Sequence, residues 1–243
     1  MEKEIRAIFL DVGTTVRIVV EDKKFSDNAK KELVELTGSS MSPDEFFTLL
    51  EERYKVLRKR AKETLIEASE KEMWTRWMLP DFPSEKIAPF SSRLTRLWRD
   101  SDGRRIPRPD VSLVVKELSR RGYILGIIAN TITETEIPDW LEADQLSGYF
   151  KTVILSSILG IRKPNPEIYL EAARRVGVEP QYCVYVGDNM VRDVEGTHAA
   201  GYGMSIILLE PATLKKEPPT GNIKPDKVIK ELSELLDIFP PRA

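Results

Sequence analysis

Asp11, Asp188, Asp193 and Lys163 are the residues of this 243-residue chain whose types and placement point to chemistry. Asp11 stands at the end of an apolar run, in Asp11-Val12-Gly13-Thr14-Thr15. Asp188 ends another, in Gly187-Asp188-Asn189, with Asp193 on the same loop. Two carboxylates at neighbouring strand tips repel each other, a costly arrangement unless a cation sits between them. The donors are oxygen, so the cation expected is hard and divalent. Mg²⁺ keeps several waters and takes one or two carboxylates plus phosphate oxygens, which suits so small a ligand set. Lys163, in GIRKPNPEIY, adds a fixed positive charge that can hold Asp11 ionised and neutralise a phosphoryl group in transfer. A carboxylate so placed is a candidate nucleophile.

The elements that must position these residues follow from apolar patterning. Runs rich in β-branched residues at 7–12, 123–129, 152–155, 184–186 and 204–209 predict buried strands. Helical patterns at 111–121, 166–176 and 193–200 lie between the later runs. Strand alternating with helix implies an α/β fold with a parallel sheet and right-handed crossovers. Such sheets bind ligands beyond the carboxyl ends of their strands, where Asp11, Ala129-Asn130-Thr131 and Asp188 fall. Residues 25–105 break the alternation with helical periodicity and no convincing strand, predicting an inserted bundle of about four helices. Ser42, Pro43 and Glu45 supply an N-cap, an N1 proline and an N3 acid for a long amphipathic helix. Ser26 is the expected opening of a shorter helix that Gly38 ends, and Pro89 divides a run from Ser84 to Trp98. After a polar, proline-rich stretch at 211–226, the apolar spacing of KVIKELSELLDIF predicts a last helix on the core.

The order of these motifs resembles the haloacid dehalogenase-like hydrolase superfamily, in the subgroup with a helical cap inserted after the first motif. The likeness spans essentially the whole chain and is strongest in GIRKPNPEIY and VGDNMVRDVEGTHAAG. It implies a Rossmann-like core at 1–20 and 106–243 and a helical cap at 21–105. By resemblance Asp11 attacks phosphorus to form an aspartyl-phosphate, Lys163 is the third-motif lysine, and Asp188 with Asp193 form the acidic pair. Mg²⁺ would be held by Asp11, Asp188 and the main-chain carbonyl of Gly13, with Asp193 supporting the metal loop. Thr15 and Asn130 match positions at the phosphoryl group. Two departures stand out. Family phosphatases usually carry an aspartate two residues after the nucleophile as general acid and base, where this chain has Gly13. A Ser or Thr usually ends the second strand, where this chain has Ala129, and Thr131 is the nearest substitute hydroxyl.

Composition narrows the function classes further. Lys plus Arg total 37 against 39 for Asp plus Glu, a formal charge of −2, so no global field points to nucleic acid or anionic lipid. The lone Cys183, in an apolar run, is expected to be a buried hydrophobe in a reducing cytoplasm. No membrane span or targeting peptide is expected. The single His198, without a second histidine or a nearby cysteine, sets aside zinc and Ser-His-Asp chemistry. Trp74 and Trp77 are expected to be core, and the basic run Arg58-Lys59-Arg60-Lys62 a solvated helix face, with Arg53 or Arg58 as the minority candidates for reaching substrate. The expected function is an Mg²⁺-dependent phosphatase acting on a small phosphorylated metabolite. One alternative is a binding or regulatory protein of the same fold with weakened turnover, which Gly13 and Ala129 favour. The other is carbon–phosphorus or carbon–halogen cleavage, since relatives with those reactions also lack the second motif-one aspartate; the intact GDNMVRD loop weighs against halide chemistry, which needs no Mg²⁺.

Overall fold

The computed structural model of the protein describes residues 4–216 and 224–242. Strand β1 (Ala7–Leu10) leads through a turn into β2 (Arg17–Val20), and helices α1 (Lys23–Thr37) and α2 (Pro43–Thr64) follow. A π-helical turn (Met73–Met78), the split segments Ser84–Ile87 and Ala88–Phe90, and α3 (Ser91–Asp100) complete the helical stretch. Strand β3 (Arg104–Pro107) closes it. The chain then alternates through α4 (Val111–Arg120), β4 (Ile124–Ala129), β5 (Phe150–Leu155), α5 (Pro166–Val176), β6 (Cys183–Gly187), α6 (Arg192–Ala199), β7 (Met204–Leu208) and β8 (Lys227–Ile229).

Six strands form one parallel sheet in the order β5-β4-β1-β6-β7-β8. Its central strand buries both faces, and the two-residue period shows in its side chains. Ile8 and Leu10 join Val114, Leu118, Ile127, Val184 and Val186 on one face. Ala7 and Phe9 join Ile128, Ile168, Tyr169 and Tyr185 on the other. A separate apolar cluster lies within the helical stretch, built on Leu33, Phe46, Leu50, Trp74, Leu94 and Leu97.

The start of α2 follows its sequence: Ser42 caps the Glu45 amide while the Glu45 carboxylate accepts from the Ser42 amide, with Pro43 at N1. Gly38 ends α1 in the left-handed conformation at φ 66°. Three expectations need correction. Asp22, not Ser26, caps α1, because its carboxylate accepts from the Phe25 amide at 3.0 Å and starts the helix earlier. The helical stretch does not run to Arg105 without a strand. Arg104–Pro107 pairs antiparallel with Arg17–Val20, and the basic flanks and Pro107 hid this short ribbon from a pattern search. The tail KVIKELSELLDIF is not one helix. Lys227–Ile229 extends the sheet beside β7, with Val228 exposed and Ile229 buried as an edge strand requires, and only short turns follow. Residues 217–223 of the proline-rich stretch lie outside the described residues, while Pro211–Lys216 forms a short helix. Among the described residues no helix is long and apolar enough to cross a membrane.

Candidate active site

The sheet brings Asp11 and Asp188 together because β1 and β6 are paired neighbours. The Asp11 amide donates to Val186 O at 2.8 Å and carries the pairing one residue past β1. Both aspartates are 4% exposed, and a carboxylate oxygen from each, with one from Asp193, lies within 4.8 Å of the others. Asp193 reaches this point because position 187 is glycine: a Cβ there would stand 2.3 Å from Asp193 Oδ2. The Asn189 amide donates to the same Oδ2 at 3.0 Å.

Lys163 is fully enclosed. Its ammonium lies 3.1 Å from Asp11 Oδ2 and 3.0 Å from Asp193 Oδ1, donates to the Tyr185 hydroxyl, and sits over the Tyr185 ring. It lies in the loop before α5. That loop is clamped by Asn130, whose Oδ1 accepts from the Lys163 amide at 2.8 Å and whose Nδ2 donates to the Lys163 carbonyl at 3.0 Å. The structure thus gives Asn130's amide a task other than the phosphate contact its position implied. Thr15, expected at the same phosphoryl group, is fully buried, and its hydroxyl has no hydrogen-bond partner. Thr131 is also buried, and its hydroxyl accepts from the Thr133 amide at 3.2 Å.

Pattern reading missed Arg192, Tyr185, Thr14 and Thr213. The Arg192 guanidinium places Nη2 3.4 Å from Asp11 Oδ2 and 3.5 Å from Asp188 Oδ1, and Nε 3.2 Å from Asp193 Oδ1. Its position beside Asp193 and four residues after Asp188 was the available signal. Tyr185 was hidden in an apolar strand. Thr14 holds φ at 59°, unusual for a residue with a Cβ, and its hydroxyl meets Asp188 Oδ2, as does that of Thr213. Arg108 donates to the Thr14 carbonyl at 3.0 and 2.6 Å and braces this turn. Gly13 carries no positive φ, and a Cβ built on it meets nothing within 4 Å.

Burial pushes the Asp11 carboxyl up to about 6; Lys163 and Arg192 pull it down, and the charges of Asp193 and Asp188 add to the rise. Burial acts on Asp193 too, but Arg192, Lys163 and the Asn189 amide outweigh it and hold this carboxyl below the usual range. Asp11 is therefore the weaker acid of the two. A cavity of about 500 Å³ opens on Asp11, Gly13 and Asp188, while Asp193 stays behind them. The open donors are all hard oxygen, which fits a divalent cation of the Mg²⁺ type. Arg58 and Lys62 of α2 form the opposite wall, so these two members of the basic run face the cleft rather than bulk solvent alone. Arg53 instead pairs with Asp81 and donates to Met78 O. Trp74 is core, bonded to Thr95.

The family model described as haloacid dehalogenase-like hydrolase matches residues 17–207. The chain belongs to the haloacid dehalogenase-like hydrolases. Two similar proteins are glyceraldehyde 3-phosphate phosphatases. That of Methanopyrus kandleri is 34% identical over 134 residues, covering 54% of this chain and 56% of its own length. That of Pyrococcus furiosus is 25% identical over 245 residues, covering 98% and 94%. The chain thus spans little more than half of the first relative and nearly all of the second. A 2-haloacid dehalogenase from Pseudomonas syringae pv. Tomato DC3000 superposes with TM-score 0.69 at 20% identity, covering 96% of this chain and 97% of its own, which shows a shared fold. The haloacid dehalogenase-like match begins just beyond Asp11, so the case for that residue rests on geometry.

Proposed function

We propose that this chain is a divalent-metal-dependent phosphatase acting on a small phosphorylated metabolite, with Asp11 as nucleophile. The observation that carries the reading is the Asp11 carboxylate at the tip of the central strand. It faces an open cavity with Asp188 and Gly13 beside it and the buried Lys163 ammonium 3.1 Å away. The names of the similar phosphatases support the reaction class. Asp11, Asp188 and the Gly13 carbonyl would hold Mg²⁺, with Asp193 securing the loop. When bound, the ion supplies positive charge against the phosphoryl oxygens and lowers the cost of two ionised aspartates.

The chain's own residues do the rest. Lys163 keeps Asp11 ionised and stabilises charge on the phosphoryl group. An Asp11 oxygen attacks phosphorus and the ester oxygen leaves with its bonding pair, giving an aspartyl-phosphate. Water then attacks that phosphorus, releasing inorganic phosphate and restoring Asp11. Residues 21–105 act as a cap over a core of 1–20 and 106–243, presenting α2 to the cleft and excluding water from it. Buried Cys183, without a disulfide, accords with a reducing cytoplasm.

A second reading, a binding or regulatory protein with weak turnover, draws on Gly13, Ala129 and the Arg192 guanidinium among the acids. A phosphatase screen across metabolites with and without Mg²⁺ separates the two. Metal-dependent release of phosphate that disappears in Asp11→Asn supports the enzyme; Mg²⁺ binding without release by the wild type supports the second reading.

A further inference from the structure

We propose that Arg58 selects substrates carrying a second anionic group, a carboxylate or a second phosphate, bound in an arginine-lined cavity beside the one that opens on Asp11. This deepens the phosphatase reading and rests on it. Tyr54, Arg58 and Lys62 are spaced by four along α2, so they share one face of that helix. Arg58 and Lys62 line the cavity that holds Asp11, and Tyr54 and Arg58 line a second of about 200 Å³. The two cavities have Arg58, Asn130 and Arg192 as common walls.

The second cavity is strongly cationic. Arg58, Arg99, Arg162 and Arg192 line it against one carboxylate, Glu67. Three of these arginines are already matched by acids. Arg162 lies 3.2 Å from a Glu67 oxygen, Arg99 pairs with the buried Glu136, and Arg192 is held by Asp11, Asp188 and Asp193. Arg58 makes no direct hydrogen bond or ion pair among the described residues, its charge acting on Glu67 without contact, and its side chain is exposed at the junction. A guanidinium presents a planar fork of donors suited to a carboxylate or phosphate. With the phosphoryl group at Asp11, a second anionic group is repelled by the aspartates of the first cavity and drawn toward this fork. Confinement by low-dielectric walls strengthens that preference.

The test compares ethyl phosphate with phosphoglycolate and with the bisphosphate of ethylene glycol. These probes have the same two-carbon length and differ in the second group. A charge-assisted hydrogen bond is typically worth about 10- to 100-fold. The wild type should favour at least one charged probe by that factor in kcat/KM, and which one it favours assigns carboxylate or phosphate. The ratio should collapse in Arg58→Gln and return only in part in Arg58→Lys, which keeps the charge but not the fork. Absence of a preference in the wild type, or its survival in Arg58→Gln, overturns the proposal. Calorimetry with phosphonoacetate and methylphosphonate reads the same preference without turnover. Arg58-dependent preference in binding with no ester hydrolysed overturns the phosphatase reading and leaves the charge-selective cavity standing. Equal binding of the two phosphonates overturns the cavity assignment whatever the turnover.

Discussion

At the scale of single residues, Lys163 shows what burial adds to a chemical role. An ammonium enclosed between Asp11 and Asp193 contributes to the fold as well as to the reaction, and removing one partner from a buried charge cluster costs about 3 to 5 kcal/mol. Lys163→Ala should therefore abolish turnover and also lower the melting temperature. The better control is Lys163→Met, which keeps much of the volume. A Met variant with full kcat would remove Lys163 from the mechanism. Asp11 gives a stability prediction of definite sign. Its carboxyl is raised from 3.8 to about 6 in the folded protein, so its contribution is fully present below about pH 4 and is lost as pH rises through 6. The loss by pH 7 is about 2 to 3 kcal/mol. Asparagine cannot ionise and escapes that loss. In metal-free buffer the melting temperature of Asp11→Asn relative to the wild type should be higher at pH 7 than at pH 4. An equal difference at both pH values would contradict the raised carboxyl.

At the scale of elements, legibility depended on whether the signal was local. The α2 start was readable because a capping box with proline at N1 is complete within four residues. Buried strands were readable because parallel sheets covered on both faces need continuous β-branched runs. The edge strand at Lys227–Ile229 was not, because its two apolar residues also fit a helical period; pairing with β7, remote in sequence, decides between them. The β2–β3 ribbon likewise exists only through pairing across more than eighty residues of intervening chain. The Lys163 loop is an element of this non-local kind, fixed by Asn130 through both the oxygen and the nitrogen of its side-chain amide. Asn130→Ala should leave the sheet intact and lower kcat by about tenfold or more by loosening Lys163, consistent with the sensitivity of reacting geometry to small displacements. Thermal melting and steady-state kinetics together check this. Unchanged kcat with a folded protein would show that the loop holds its place without the clamp.

At the scale of the whole molecule, the motif aspartates and Lys163 were legible because each sits at a strand end or in a short motif. The groups that complete their surroundings were not, because Arg192, Tyr185 and Arg58 reach the cleft and its walls only when α6, β6 and α2 converge. Proton supply is a property of this assembled cleft. Among the described residues the cavity on Asp11 is lined by Gly13, Thr14, Arg58, Lys62 and Arg192 but by no carboxyl beyond Asp11 and Asp188. A leaving oxygen there departs without a neighbouring carboxylic acid, so the rate should rise steeply as the leaving-group pKa falls, with aryl and acyl phosphates ahead of sugar phosphates. Gly13→Asp supplies the missing acid where the backbone has no positive φ to resist it and a Cβ meets nothing within 4 Å. Alkyl phosphate hydrolysis should then increase by up to about 10² to 10⁴, with little gain for aryl phosphates, which need no proton. The decisive measurement is the slope of log kcat/KM against leaving-group pKa in both proteins. A flat slope in the wild type would place the proton donor on another residue of the cleft and make the new carboxyl redundant.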